Sequence, residues 1–509
     1  MKKYILAIDQ GTTGTTAMVF DHAGVVLSKV GQEFTQYFPA GGWVEHDPEE
    51  IWQSTVFTVS KALSDAGVNA GELAALGITN QRETAVFWRK GTVEPVGRAI
   101  VWQCRRSAPI CERLKKRGLE GEFRERTGLV LDPYFSGTKI TWVMENEPEI
   151  ARLAEAGEIS FGTIDSWLLA KLTGGRVHAT DYSNASRTLM FNIRDLEWDD
   201  RLLDYLGVPA GMLPQVLPSS CLFGETDPDC FLGASVPIGG IAGDQQAALF
   251  GQACYHRGMT KNTYGTGSFV LMNTGPEAVT SSTGMLTTVA WGYGGEVTYA
   301  LEGSIFITGA AIQWLRDGLG IIGDASETGP LARKTPDTGG VFMVPAFVGL
   351  GAPYWDPYAR GAILGITRGT SREQIIRAAV EAMAYQTRDV MDAMRSDSGI
   401  DVASLRVDGG ASVMDVLLQF QADLLGVEVQ RPAVSETTAL GAAFLAGLSA
   451  GYWKDLDEIE RIWRVDRKFS PSADKELMDS KYEQWKKAVR RACSWEERVS
   501  ENGDVVVER

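Results

Sequence analysis

An apolar run, Tyr4-Ile5-Leu6-Ala7-Ile8, ends in Asp9; after Gln10 come six small or hydroxylated residues, Gly11 to Thr16, and then a second apolar run, Ala17 to Phe20. The gap is too short for a helical crossover, so an antiparallel hairpin is expected. Its tip presents backbone N–H groups, Gly11 and Gly14, and the hydroxyls of Thr12, Thr13, Thr15 and Thr16, a set that suits an anion with several oxygens. Asp9 at the strand end would repel a bare phosphate but suits a hydrated Mg²⁺ bound to one. An ordinary Gly/Thr-rich hairpin has the same composition, so the remainder of the chain has to decide.

A second tip, Tyr264-Gly265-Thr266-Gly267-Ser268, lies between apolar runs in the other half and lacks the Asp. Two such hairpins imply a duplicated fold with phosphate gripped between the copies. At 509 residues the chain exceeds one hydrophobic core, and two large domains, 1–251 and 252–509, are expected. The net charge of −16 argues against nucleic acid or an anionic membrane surface as partner. An anionic substrate must then be met by local N–H groups and a metal. The six cysteines form no C-x-x-C pair and only four His are present, which makes structural zinc improbable and free thiols in a reducing cytosol the simple reading. The first apolar run is too short for a signal peptide and no run reaches transmembrane length, so a cytoplasmic protein without membrane insertion is expected.

Gly24 to Ser28 reads as a third strand. Asp47-Pro48-Glu49-Glu50 opens a helix whose core face is Trp52, Val56, Val59 and Leu63, with Gly67 ending it. Leu73 to Ile78 is a short buried strand. It runs into Thr79-Asn80-Gln81-Arg82-Glu83-Thr84, where adjacent Arg82 and Glu83 supply fixed donors and an ionised acceptor, as recognition of a hydroxyl-rich molecule requires. A second polar cluster follows a strand at Ile100-Val101-Trp102, and a third is Asp132-Pro133-Tyr134-Phe135-Ser136. Three such clusters suggest loops converging on a cleft. Residues 160–240 say little about chemistry. A Gly-rich strand then ends on Asp244-Gln245. Asp244 is placed either to cap the next helix or to take a proton from a bound hydroxyl.

Further on, Ser304 to Arg316 is expected as a helix carrying Gly309 and Gln313 one turn apart, and Asp317 to Gly340 as a surface excursion. Ser371 to Gln374 is a capping box before a helix with a core face of Ile376, Val380, Met383, Val390 and Met394. Leu405 to Ser412 is a strand ending in a Gly409-Gly410 loop open to a flat ligand. The small-residue helix from Thr438 to Gly447 suits close packing. A last amphipathic helix (Met478, Tyr482, Trp485, Val489) precedes a polar tail, Glu501 to Arg509, expected to fray.

Eight of these stretches, in order between about residue 4 and about residue 495, resemble the glycerol kinases: Asp9-Gln-Gly-Thr-Thr, Asn80-Gln-Arg-Glu-Thr, Val101-Trp-Gln-Cys-Arg-Arg, Asp132-Pro-Tyr-Phe-Ser, Ala242-Gly-Asp-Gln-Gln, Tyr264-Gly-Thr-Gly, Ala352-Pro-Tyr-Trp-Asp-Pro and Val407-Asp-Gly-Gly. These enzymes belong to the carbohydrate kinases, whose fold is shared with actin, hexokinase and heat-shock chaperone ATPases. The resemblance implies an α/β fold of two duplicated actin-like (ribonuclease H-like) ATPase domains around a central cleft. It implies ATP-dependent, in-line phosphorylation of glycerol to sn-glycerol 3-phosphate in glycerol catabolism, with ATP and Mg²⁺ and a homo-oligomeric (dimeric or tetrameric) assembly.

Carried over by motif, Arg82, Glu83, Tyr134, Asp244 and Gln245 would hold the hydroxyls, Trp102 and Phe269 would flank the carbon chain, and Asp244 would be the base. Thr12, Thr13, Gly14, Thr16 and Thr266 would meet the phosphates. Asp9 would orient Mg²⁺ through water, and Gly309, Gln313, Gly410 and Met414 would line the nucleotide cleft. Two positions depart from the pattern: Thr16 stands where the family usually has Arg, and Met414-Asp415 where it usually has Asn-Asn. A sibling kinase for xylulose, gluconate or ribulose needs a roomier pocket than Trp102 and Phe269 leave. An actin-like filament or chaperone ATPase gives Arg82, Glu83, Tyr134 and Asp244 no purpose, and a silent binding protein gives none to Asp9, Asp244 and Thr266.

Overall fold

Both faces of the first strand are covered, which is why it reads as an unbroken apolar run. In β1 (Tyr4–Gln10), Leu6 and Ile8 enter one core while Ile5 and Ala7 enter another. A computed structural model describes residues 2–496 and, beyond them, one strand pair, Arg498–Val499 with Val505–Val506. Apart from that pair, the tail Glu501 to Arg509 lies outside the described residues.

The hairpin is present: β1 pairs antiparallel with β2 (Gly14–Phe20), and β2 with β3 (Val26–Glu33). Helix α1 (Pro48–Ala66) leads to β4 (Leu73–Asn80); β5 (Ser220–Glu225) and β6 (Pro237–Gly243) complete a six-stranded sheet in the order β5-β6-β4-β1-β2-β3. Helix α2 (Asp244–Gly251) follows β6 directly. The second half repeats the plan with β7 (Met259–Tyr264), β8 (Ser268–Gly275), β9 (Leu286–Tyr293), β10 (Glu296–Ile305), helices α3 (Gly309–Asp317) and α4 (Arg372–Ser398), β11 (Ser404–Gly409), β12 (Val429–Pro432), helix α5 (Thr437–Ser449), β13 (Val465–Phe469) and helix α6 (Lys475–Ala492). Its sheet runs β9-β10-β8-β7-β11-β12-β13. The series β3-β2-β1-β4-β6 and β10-β8-β7-β11-β12 have the same succession of two antiparallel and two parallel pairings. The duplicated α/β architecture expected from the two tips is therefore present in full.

The helix ends follow the chemistry expected of them. Asp47 caps α1 by accepting from Glu49 N, Gly67 closes it at φ 66°, and Ser371 and Gln374 cap α4 reciprocally. The core faces of α4 and α6 are those expected. The face of α1 is so only in part: Val59 and Leu63 are buried and Trp52 is partly buried against the same core. Ile51, Thr55, Val59 and Ala62 are buried and Val56 is exposed. Ser54, Thr55 and Thr58 donate their hydroxyls to carbonyls of the same helix at 2.8 Å, so small polar residues take the buried stripe without an unpaired group. Ser304 is likewise strand, not helix, because the β8–β10 ladder continues to Ile305; α3 begins only at Gly309. The strand before Trp102 is reduced to Ala99–Ile100, paired with Glu45–His46.

Helix α5, from the second half, lies on β1, β4 and β6 of the first sheet and crosses α2. The approach is backbone to backbone. A Cβ on Gly441 would sit 1.9 Å from the Ala247 carbonyl oxygen, one on Gly251 2.0 Å from that of Thr437, and one on Gly77 2.2 Å from that of Ala442. Gly441→Ala is therefore expected to lower unfolding free energy by about 1–3 kcal/mol in urea titration. Gly121→Ala, inside the helix Glu120–Thr127 with nothing within 4 Å of the added carbon, should be neutral or stabilising by up to about 1 kcal/mol.

Candidate functional site

Strands β1, β4 and β6 are parallel neighbours and end in register, Gln10 beside Asn80 and Asn80 beside Gly243. Their carboxyl ends deliver the first tip, the Gln81-to-Thr84 cluster and Asp244 to one edge of the sheet, where ligands of such sheets bind. Beside them, Asp181 caps the short helix Tyr182–Ala185 through the N–H groups of Ser183 and Asn184, each at 2.9 Å. Asn184 and Asn80 exchange side-chain amide hydrogen bonds at 3.0 Å, and Gly243 N donates to Ser183 Oγ at 2.9 Å. This buried cap fixes the ends of β4 and β6 and places Arg187 just past the helix.

At the first tip, Gly11 N donates to Gly14 O at 2.9 Å, and Gln81 Nε2 braces the turn through Gln10 Oε1 and Gly11 O at 3.0 and 3.2 Å. The expected row of four free hydroxyls is reduced. Thr15 is buried and bonded to Ser54 Oγ at 2.7 Å, because strand alternation sends it inward. Thr12 Oγ1 accepts from Trp102 Nε1 at 2.9 Å, which links the tip to the second polar cluster. Asp9, Thr13, Gly14 and Thr16 line a cavity of about 450 Å³. Burial, then Asp244 and Glu436, push the Asp9 carboxyl up to about 7 against the pull of Lys29. Lys29, itself paired with Glu436, does not offset the acids there, and an aquated divalent cation fits that need. Among the described residues no group of three or more His, Cys, Asp and Glu forms a cage, so such an ion would share its ligands with water and a bound phosphate.

Arg82 and Glu83 are buried, not a solvated surface pair. Glu83 is held at φ 62°, a left-handed conformation costing a non-glycine residue about 1–3 kcal/mol, and Ser136 Oγ donates to its carbonyl at 3.0 Å. Arg82 Nε lies 3.2 Å from Asp244 Oδ1, and its guanidinium stands 5.8 Å from the Phe269 ring. Trp102 and Tyr134 meet edge to face at 5.4 Å, and the Arg187 guanidinium lies 5.7 Å from the Tyr134 ring. Burial raises the Tyr134 hydroxyl, which stays a donor. Gln245 is buried and accepts from Lys261 Nζ. Asp244 is the first residue of α2 and Gly243 holds the cap position, while Asp244 Oδ1 accepts from Gln245 N in the first turn at 2.7 Å. Glu83, Tyr134, Asp244 and Phe269 thus stand around Arg82, with Trp102 against Tyr134 and Gln245 next along the helix from Asp244.

Arg187, Glu302 and Lys261 were missed. Glu302 accepts from both guanidiniums: Arg82 Nη1 at 2.6 Å, Arg82 Nη2 at 3.1 Å and Arg187 Nη2 at 2.9 Å. Arg187 Nε donates to Glu83 Oε1 at 2.8 Å. Burial alone would raise Glu302, yet Arg187 and Arg82 hold it at about 2. In Glu83 burial wins over the same two cations and its pKa is raised. The contrast follows from geometry, since Glu302 accepts three hydrogen bonds from the two guanidiniums, whereas Glu83 accepts one from Arg187 and lies 3.8 Å from Arg82 Nε. Ser186-Arg187-Thr188 after the Asp181 cap was the available signal; Glu302 lies inside a strand with none.

The second tip follows the same rule of register: β7 and β11 end together, Tyr264 beside Gly409. Thr308 N and Ala310 N donate to Thr266 O, each at 3.0 Å, which seats α3 on the tip. Thr266, Gly309, Gln313, Gly410 and Met414 line one cavity of about 520 Å³, together with Arg316, Gly329 and Arg333. The expected surface excursion 317–340 is exposed over most of its length, and one part of it needs correction. Its helix Thr328–Ala332 is largely buried and forms a wall of this cavity, because Gly329 packs with its Cα facing Met414 and leaves only van der Waals room (3.4 Å) for a Cβ. Of the two arginines here, Arg316 is paired with Asp317 at 2.7 and 2.9 Å, and Arg333 brings local positive charge to an acidic chain. Asp415 turns away, paired with Arg431 at 3.0 Å and with Arg467.

His46 packs behind the first tip, with Nε2 2.7 Å from Gln36 Oε1 and Nδ1 3.4 Å from Gln81 Nε2. Burial lowers its pKa from 6.5 to about 4, against a small opposing pull from Glu50. The folded state keeps it neutral while the unfolded chain takes a proton, so its contribution is full above pH 6.5 and lost as pH falls toward 4. His46→Gln should remove about 3 kcal/mol of the loss in urea-unfolding free energy across that window.

Residues 4–251 match the N-terminal domain, and 260–450 the C-terminal domain, of the FGGY family of carbohydrate kinases. The chain is 62% identical over 496 residues to glycerol kinase 2 of Thermotoga maritima, covering 97% of this chain and 100% of that one. It is 58% identical to the glycerol kinase of Caldanaerobacter subterraneus subsp. tengcongensis, covering 98% and 100%. Among solved structures it is similar to Plasmodium falciparum glycerol kinase with ADP, at a TM-score of 0.90 and 35% identity, covering 96% and 98%.

Proposed function

This chain belongs to the FGGY family of carbohydrate kinases, and we propose that it transfers the γ-phosphoryl group of ATP to a terminal hydroxyl of glycerol, giving sn-glycerol 3-phosphate. The observation that carries this reading is that Glu83, Tyr134, Asp244 and Phe269 surround the buried Arg82 guanidinium, with Trp102 against Tyr134 and Gln245 beside Asp244, in a chain 62% identical along its length to a glycerol kinase.

In this reading residues 1–251 carry most of the polyol site and the first phosphate tip, and 252–509 carry the nucleotide cavity. Arg82, Glu83, Tyr134 and Gln245 orient the hydroxyls, and Trp102 and Phe269 bound the carbon chain. Thr12, Thr13, Gly14, Thr16 and Thr266 meet the phosphates from the two tips. Gly309, Gln313, Gly410 and Met414 face the rest of the nucleotide. As the glycerol oxygen bonds to the γ-phosphorus, the bond to the β,γ-bridging oxygen breaks, Asp244 takes the hydroxyl proton and ADP leaves. Asp9 would hold Mg²⁺ through water, and the ion, when bound, neutralises charge on the phosphate oxygens. Among the described residues no helix is long and apolar enough to cross a membrane; a cytoplasmic homo-oligomer, dimer or tetramer, completes the reading.

A coupled ADP-release assay over a panel of polyols and sugars tests it. Glycerol should be phosphorylated far better than xylulose or gluconate, and equal turnover of a five-carbon sugar would sink the assignment to glycerol. For Asp244→Asn, size and most hydrogen bonding remain but the proton acceptor is lost. Its kcat should fall about 10²–10⁴-fold while glycerol binding by calorimetry weakens modestly. Near-normal turnover would remove Asp244 from the chemistry.

A further inference from the structure

The faces of β7, β8 and β10 that look toward the first half carry a row of opposed residues, Lys261 beside Leu271 and Leu271 beside Glu302. Leu271 and Ala300 belong to the core shared by the two halves, whereas Leu301 points into the core of the second sheet. Alternation therefore directs both charges of the row, Lys261 and Glu302, at the first half. Both are fully buried. Glu302 grips the end of Arg82 with two oxygens, at 2.6 and 3.1 Å, and Lys261 Nζ donates to Gln245 Oε1 and, at 3.0 Å, to Thr263 Oγ1.

We propose that Glu302 and Lys261 are positioning residues of the polyol site: buried charges of the second sheet that fix Arg82 and Gln245, so that the site is complete only when the two halves are in register. The inference rests on the reading of these residues as polyol ligands.

Three observations carry it beyond simple stabilisation. First, ion clusters buried this deeply contribute little net stability compared with apolar packing, whereas a bidentate guanidinium–carboxylate pair fixes both direction and distance. Second, the remaining faces of Arg82 are also constrained. Nη1 donates to Gln246 Oε1 at 3.1 Å, Nε faces Asp244, and a Cβ on Gly243 would collide with Arg82 Cγ and Cδ at 2.7 Å. The chain leaves Arg82 one path, and Glu302 stands at its end. Third, burial lowers Lys261 to about 8 although Asp408, Asp244 and Glu302 pull it the other way. Two of these three acids, Asp244 and Glu302, are those that contact Arg82.

The test uses the full-length chain with Glu302→Gln, Glu302→Asp and Lys261→Met, each measured for KM of polyol, KM of ATP, kcat and thermal midpoint. Glu302→Gln keeps shape but loses the charge on two guanidiniums. Its glycerol KM should rise about 10–100-fold, the loss expected for a charged hydrogen bond, with the KM for ATP within about twofold. Glu302→Asp, one methylene short but charged, should recover part of that loss. Lys261→Met should raise glycerol KM about 5–50-fold without moving that of ATP. Unchanged glycerol KM in the folded variants, or equal rises in both KM values with a fall in thermal midpoint, would overturn the proposal. Should Glu302→Gln not accumulate as folded protein, the Lys261→Met measurement decides alone. A wild type that does not phosphorylate glycerol fails the proposed function instead, and the variants are then read on whichever polyol the wild type accepts.

Discussion

Everything in this molecule depends on how closely the backbone of α5 approaches the first sheet and α2. At Gly441, Gly251 and Gly77 not even a methyl group fits between the chains. That contact lays a helix of the second half on β1, β4 and β6 of the first, and it sets the distance at which the two sheets face one another. Small residues at a crossing do for this fold what they do wherever helices must touch at the backbone: dispersion and exclusion of water replace interdigitating side chains. With the spacing fixed, Leu271, Ala290, Trp291 and Ala300 of the second sheet join Ile5, Ala7 and Ala75 of the first in one continuous core.

The same spacing explains the polar interior. A carboxylate buried at Glu302 would be untenable in a sheet with only apolar partners. It is sustained because Arg82 and Arg187 arrive from the first half with three donors between them. Arg187 arrives because Asp181 caps the turn before it and Asn184 clasps Asn80. A chain of local events, each cheap by itself, thus converges on the Arg82 guanidinium, held by Glu302 and Gln246 and facing Asp244 through Nε. The left-handed backbone at Glu83 is part of the cost, borne where the surrounding contacts over-determine it.

The two tips divide the work between them. In the first, Asp9 lies in an electrostatically negative pocket next to free N–H groups and hydroxyls. In the second, Thr266 carries no such acid, and α3 is seated on its carbonyls. Arg333 adds positive charge at the far wall, where Arg316 is paired with Asp317, in a protein of net charge −16. Phosphoryl transfer asks mainly for such positioning and for charge stabilisation.

Much of this was legible before any coordinates. The duplicated hairpins, the buried strand Leu73–Asn80, the caps at Asp47 and Ser371 and the faces of α4 and α6 follow from local rules of period, capping and turn length, which act within a few residues. The residues proposed to hold the polyol and the phosphates were legible as polar breaks at strand ends and through their resemblance to known kinases. Arg187, Glu302 and Lys261 were not, because a charged residue inside a strand or after a short turn looks the same whether it meets water or a partner 220 positions away, as Arg82 is from Glu302. Part of the stripe of α1 and the buried wall at Thr328–Ala332 were misread for a related reason: burial of Thr, Ser and Gly depends on hydrogen bonds and close approaches that composition does not register. Local chemistry is written along the chain, whereas the pairing of buried charges and the meeting of glycines exist only once the two sheets face each other.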